Sequence, residues 1–175
     1  MKAIVVYESL WGNTAAVARA IAEGLGGDAR ALTTDEARGT ELAEVDLVVA
    51  GAPVLGFRLP TDDMRQSILR TERRAPHPAD LSHPSMRAWL EGLIAAASRP
   101  AGAAGSAARF ATFETGLRWS PGSATKAIAE KLAGLGYRPT GKGRRFVVKG
   151  RYGPLRDGEL VKARAWGQEL AKFVG

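Results

Sequence analysis

A chain of 175 residues, 45% hydrophobic and 25% charged, suits one globular domain with a real core. It has no cysteine, which excludes disulfides, thiolate metal sites, iron–sulfur clusters and thiol catalysis. The net charge of +7 lies at one end: residues 1–137 carry 15 Lys/Arg and 15 Asp/Glu, whereas residues 138–175 carry 10 Lys/Arg against 3 acids.

Met1-Lys2 runs directly into Ala3–Tyr7, an apolar, β-branched stretch short enough for a buried strand. No secretory or membrane-spanning segment is apparent, so a cytoplasmic protein is expected. Thr14, Val17, Ala18, Ile21, Ala22 and Leu25 then recur at helical spacing, and Gly26-Gly27 supplies a stop. Ala29–Leu32 predicts a short second strand and Val45–Gly51 a third, followed by the loop Ala52–Arg58.

Residues 60–82 show little periodicity and read as a long surface excursion. His77 and His83, set among Pro76, Pro78 and Pro84, read as exposed loop histidines rather than metal ligands. Ser82-His83-Pro84 reads as the cap of a helix carrying Met86, Trp89, Leu90 and Leu93. Low-complexity residues 95–108 form a linker to a fourth strand, Ala108–Phe113, with Glu114–Gly122 as the loop behind it.

Ala124, Ala127, Ile128, Lys131, Leu132 and Leu135 mark another helix, stopped by Gly136. Tyr137–Thr140 and Phe146–Lys149 are two short strand candidates separated by Gly141-Lys142-Gly143. Asp157 is placed to cap a last helix bearing Leu160, Ala163, Gly167, Leu170, Ala171 and Val174.

Strands alternating with helices imply an α/β fold, a doubly wound parallel sheet in three layers. Such sheets bind ligands beyond the carboxyl ends of their strands, where the strand order reverses. The loops after strands one, three and four would meet there. In the first, Ser9, Gly12, Asn13 and Thr14 stand where the amides at a helix start lack partners. A helix start of that kind attracts phosphate without a cationic side chain; a plain N-cap would use the same residue types. No GxxxxGK[ST] loop is present, Gly24-Leu25-Gly26 ends a helix rather than following a strand, and Ser9 lacks a GxSxG elbow.

"SLWGNT" directly after strand one resembles the Ser/Thr-x-Thr-Gly-x-Thr phosphate loop of the flavodoxin family. The likeness extends from Lys2 to the last helix. It is especially close to small flavodoxin-domain proteins with a "YES-x-x-GNT" start and a "VVGAP" third strand, here Tyr7–Thr14 and Val48–Pro53. The resemblance implies a five-stranded sheet in the order 2-1-3-4-5 with bound FMN. Its phosphate would lie on Ser9, Leu10, Trp11, Gly12, Asn13 and Thr14. Its ring would lie between Pro53, Val54, Leu55, Gly56 and Phe57 on one side and Thr115, Gly116, Leu117, Arg118 and Trp119 on the other, with Gly122 close to the next helix.

A flavin ring needs flat apolar walls and amides near its polar edge, and Trp11, Phe57 and Trp119 are aromatic candidates for the walls. Trp11 stands where the family loop has its middle Thr, the loop after strand three lacks the usual Trp–Gly–acid pattern, and the loop after strand four lacks the usual Tyr. The family is typically acidic, whereas this chain has a pI near 10.1.

Arg138, Lys142, Arg144, Arg145, Lys149 and Arg151 surround the fifth strand. Charge on a sheet edge that deters aggregation is the first reading. Docking of an acidic redox partner is the second, and nucleic acid, for which no recognition fold is present, ranks last. The resulting expectation is an FMN-dependent electron carrier serving partner proteins or a small acceptor, with no side chain nominated as general acid or base. The alternatives are an interaction module that has lost FMN and a flavin-dependent quinone or porphyrinogen oxidoreductase.

Overall fold

A computed structural model describes residues 2–39, 42–71, 75–97 and 108–173. Three central strands, β1 (Ala3–Tyr7), β3 (Leu47–Pro53) and β4 (Arg109–Leu117), run parallel, with β2 (Arg30–Thr33) outside β1. Beyond β4 both short strand candidates form strands, where the resemblance implies a single fifth strand. β5 (Arg138–Pro139) pairs with the start of β4, and β6 (Arg144–Val148) pairs with its end. The order β2-β1-β3-β4-β5 is the expected one, and β6 completes the outermost lane.

Alternation along each strand feeds two cores, as expected for a sheet covered on both faces. Ala3, Val5, Tyr7, Val49 and Phe113 pack with α1 (Asn13–Leu25) and α5 (Glu159–Ala171). Ile4, Val6, Val48, Ala50 and Phe110 pack with α3 (Met86–Ala97) and α4 (Thr125–Gly134). Helices α1 and α5 touch backbone to backbone. A Cβ on Gly24 would lie 2.0 Å from the Arg164 carbonyl oxygen, and one on Gly167 would lie 2.3 Å from that of Ile21.

Several expectations are corrected. Residues 60–82 contain a helix, α2 (Asp62–Thr71), which buries Arg65 as well as Ile68, so one of its inward positions carries charge and blurs the apolar stripe. The cap of α3 is Ser85, whose hydroxyl accepts from the Ala88 amide, while Ser82 is bonded to Asp80. β4 runs four residues further than predicted because Glu114 and Thr115, though polar, are buried within the sheet. The N-cap position of α5 is Gly158, and Asp157 pairs instead with Lys149. Most of the linker at 95–108, and Val174, fall outside the described residues.

Candidate functional site

β1 ends in a turn stitched from behind. The Glu8 amide donates to the Gly51 carbonyl, and its carboxylate turns inward, fully buried. One oxygen meets the Arg65 guanidinium at 2.5 Å, and the other accepts from the Met86 amide at 2.8 Å. Burial pushes the Glu8 carboxyl above the usual carboxylate range, against the pull of the Met86 amide and Arg65. Arg65 also donates to the His83 carbonyl, which leaves this buried charge hydrogen-bonded on two sides.

His83, expected in an exposed loop, is 4% exposed. Its Nε2 accepts from the Ser9 amide at 3.2 Å, so the neutral ring carries its proton on Nδ1. Nδ1 has no hydrogen-bond partner among the described residues, and the nearest acid, Asp80, stands 3.8 Å away. Burial lowers the His83 pKa, and Arg65 adds to that, against the opposing pull of Asp80, Asp35 and Glu36. The Asp80 amide bonds the Leu10 carbonyl, completing the backing of the loop.

The front of the same loop is open. Ser9 Oγ accepts from the Gly12 amide, and Gly12 takes the left-handed backbone (φ 89°) that starts α1. No side chain caps this helix, and its first turn holds no acid. The amides of Asn13, Thr14 and Ala15 have no acceptor among the described residues, although Thr14 and Ala15 are buried. Orphan helix-start donors shielded in this way match a phosphate group, so the residues present fit the group the loop pattern implies.

The loop after β3 is a two-residue turn. Leu55 and Arg58 exchange backbone hydrogen bonds around Gly56 (φ 53°) and Phe57 (φ 67°). Two left-handed residues suit a tight reversal, but Phe57 pays the steric penalty of a Cβ there. The turn presents its ring to solvent, 62% exposed. Gly122 sits against it, since a Cβ at Gly122 would lie 1.7 Å from the Phe57 carbonyl oxygen.

Charge fastens the loop after β4. Glu114 accepts from Ser123, Ala124 and Thr125 at the start of α4 and pairs with Arg145 at 2.7 Å. Arg145 in turn donates to the carbonyls of Leu117, Ser120 and Gly122. Burial raises the Glu114 carboxyl, yet the Thr125 amide, Arg145, Ser123 and the Ala124 amide outweigh it and hold the group below its ordinary value of 4.5. Arg145, read in sequence as edge charge, is therefore an internal fastener. Arg144 likewise stacks at 5.6 Å over Trp166 and faces Glu169, and Lys149 meets Asp157.

Together the three loops enclose a cavity of 340 Å³. Of the residues expected at the site, Leu10, Trp11, Asn13, Thr14, Pro53, Val54, Leu55, Gly56, Phe57, Thr115, Gly116 and Leu117 line it. Ser9 and Gly12 shape the wall from behind. Arg118 and Trp119 border a shallower depression of 730 Å³ beside it, with Arg118 stacked 5.0 Å over the Trp119 ring. Trp119 is 84% exposed. Thr14 and Thr115 share a buried hydroxyl hydrogen bond of 2.8 Å, tying the first loop to the third.

Sequence reasoning missed Ser120, Val148 and Arg151, which also line the cavity. Arg151 belongs to the connection between β6 and α5, which lies over the first loop. There Asn13 Nδ2 donates to the Tyr152 carbonyl at 3.0 Å, and Trp11 meets the Tyr152 ring edge-on at 5.0 Å. A signal was present in "KGRYGP", a glycine-flanked, aromatic–basic turn directly after a strand.

No group of His, Asp and Glu among the described residues is arranged to hold a metal ion, and no helix there is long and apolar enough to cross a membrane. The fold is shared with solved flavodoxins. One from the domain Archaea is 24% identical with a TM-score of 0.64, with 99% of each chain covered. Flavodoxin 1 from Bacillus cereus is 17% identical with a TM-score of 0.66, with 100% of each chain covered. A flavodoxin from Streptococcus pneumonia TIGR4 is 14% identical with a TM-score of 0.67, covering 99% of this chain and 100% of the other. No curated protein sequence matches the chain. The family profile for flavodoxin matches residues 5–166, nearly the whole length, and the chain belongs to the flavodoxin family.

Proposed function

We propose that the cavity holds FMN and that the protein carries electrons between partners or to a small acceptor. The observation that supports this most directly is the helix start without acceptors for its first amides, where Asn13 and Thr14 line a cavity walled by the other two strand-end loops. In this reading the phosphate lies on those amides, and the ring lies between the Pro53–Phe57 and Thr115–Trp119 stretches. Bound flavin supplies the redox chemistry. The chain's part is to exclude water with Leu10, Val54, Leu55 and Leu117 and to present backbone amides to the ring's polar edge. No side chain is assigned a proton-transfer role.

The rim favours an acidic partner or a small anionic acceptor. Exposed Phe57 and Trp119 are flanked by Arg118, Lys149 and Arg156 around the shallow depression. Cations at such a rim chiefly raise the rate of encounter and make it depend on salt.

The deciding experiment is a flavin visible spectrum of the purified protein, followed by titration of apoprotein with FMN. Quenching of flavin fluorescence at saturable stoichiometry is expected. A colourless protein that leaves added FMN unquenched would overturn the reading. NAD(P)H- or quinone-dependent turnover by the holoprotein alone would replace a carrier with an oxidoreductase.

A further inference from the structure

We infer that His83 is a proton-operated latch behind the loop after β1: the neutral ring holds Ser9 in its turn, and a second ring proton, taken from solvent, releases it. Mild acid then loosens the cavity from its hidden side. The consequence for a ligand rests on the flavin reading above; the latch itself does not.

His83 stands behind the cavity wall rather than in it. Its Nε2 accepts from the Ser9 amide at 3.2 Å. Its Nδ1, which must then carry the single proton of the neutral ring, has no hydrogen-bond partner among the described residues. A second proton would have to sit on Nε2, where it would point straight at the Ser9 N–H. The bond would be lost, and the Ser9 amide would be left as a donor without an acceptor. Ser9 is 4% exposed, so bulk water does not readily replace the ring.

The Ser9 turn is the root of the wall. Ser9 Oγ accepts from the Gly12 amide, and the two residues between them, Leu10 and Trp11, line the cavity. A shift at Ser9 is therefore passed to the lining.

The charges around the ring separate a seat for the neutral form from one for the cation. Arg65, on α2, donates to the His83 carbonyl and disfavours a cation where the ring now lies, although it shares its charge with Glu8 at the end of β1. Asp80 stands 3.8 Å from Nδ1, and Asp35 and Glu36, in the connection after β2, also favour the cation. A protonated ring is drawn from Ser9 toward these acids. The Asp80 amide donates to the Leu10 carbonyl, so the acid that receives the ring is itself tied to the loop.

The test follows the ligand-free protein by amide and imidazole NMR from about pH 7.5 to about pH 5, the range in which histidines titrate. FMN titrations over the same range follow, for wild type and His83→Gln. In wild type the Ser9 amide should lose about fivefold in hydrogen-exchange protection, the equivalent of one net hydrogen bond. The loss should share its midpoint with the His83 ring, and FMN affinity should fall by about the same factor. His83→Gln offers the Ser9 amide an acceptor that takes up no proton, so its Ser9 protection should be flat. Titration of the FMN phosphate acts on both proteins alike, and the difference between them isolates the latch.

A His83 ring that stays neutral throughout, or a Ser9 amide whose protection is unchanged while the ring titrates, would overturn the inference with no ligand involved. An equal response in His83→Gln would assign the change to another group, Glu8 first, and overturn it as well. The wild-type titration decides even if the variant fails to fold. A latch that works in a protein binding no FMN at any pH would sink the flavin reading and leave the latch standing.

Discussion

The loops after β1 and after β4 face each other across one cavity, yet they are held in opposite ways. The loop after β4 is closed on itself: Glu114 caps α4, and Arg145 collects three of the loop's carbonyls. The loop after β1 has its fastenings behind it, at Glu8, Arg65 and His83, and leaves its helix-start amides open in front. The first arrangement gives a wall that is finished before anything binds. The second keeps donors unspent in front while a buried polar knot fastens the loop from behind.

The largest expected effect breaks the hidden fastening. Glu8→Ala would leave Arg65, 5% exposed, buried without its carboxylate. A loss of about 3–5 kcal/mol is expected in urea unfolding at pH 7. A loss below about 1 kcal/mol would mean that the knot contributes little to holding the loop. The corresponding cut on the other side, Glu114→Ala, removes a helix cap and one arm of a partly solvated ion pair. About 2 kcal/mol is expected there, together with weaker flavin binding if the wall loosens.

Acid should act in the same direction on His83 and Glu114, and in the opposite direction on Glu8, whose folded-state pKa burial holds above 4.5. His83 has a folded-state pKa below its ordinary 6.5, so its contribution is present above that pH and lost as pH falls. Glu114 is held below 4.5, so its contribution is present above 4.5 and lost as pH falls through its folded-state value. The His83 contribution should therefore decline from near pH 6.5 and the Glu114 contribution from near pH 4.5. Protonation of Glu8 should offset part of the loss between its raised folded-state value and 4.5, and Glu8→Gln removes that offset. His83→Gln, which can still offer an acceptor to the Ser9 amide, should remove only the decline from near pH 6.5. If that decline survives in the variant, another group carries it.

The smallest effect is expected at the rim. Trp119→Ala should leave stability within about 0.5 kcal/mol, because the ring is almost wholly solvent-exposed. A larger drop would show that Trp119 braces the loop through its stacking with Arg118.

The parts legible in the sequence are those that follow apolar periodicity. β1, α1, β3 and α4 stand close to their expected positions, and "SLWGNT" pointed to the open loop because a strand runs straight into a helix with polar residues between. What was hidden is buried charge. Arg65 occupies an inward position of α2, so residues 62–71 lacked an apolar stripe. His83 lies among prolines that suggest surface, yet the chain folds it beneath Ser9. Glu114 and Thr115 looked like the start of a loop because a polar pair seldom continues a central strand. Arg145 read as edge charge because its four acceptors are 23 to 31 residues away. In each case the partner that makes burial tolerable comes from another element, and local pattern cannot show it.

The glycine crossing of α1 and α5 gives the cavity a remote control. Gly24 is eleven residues from Asn13, about 16 Å along the helix at 1.5 Å per residue. The two helices approach backbone to backbone there, beside the Arg164–Glu23 ion pair. One of them begins at the open amides, and the other follows the turn that carries Arg151. A methyl group at Gly24 or Gly167 would act as a wedge between two levers, separating their far ends. Ligand affinity would then be adjusted from a point that no ligand reaches.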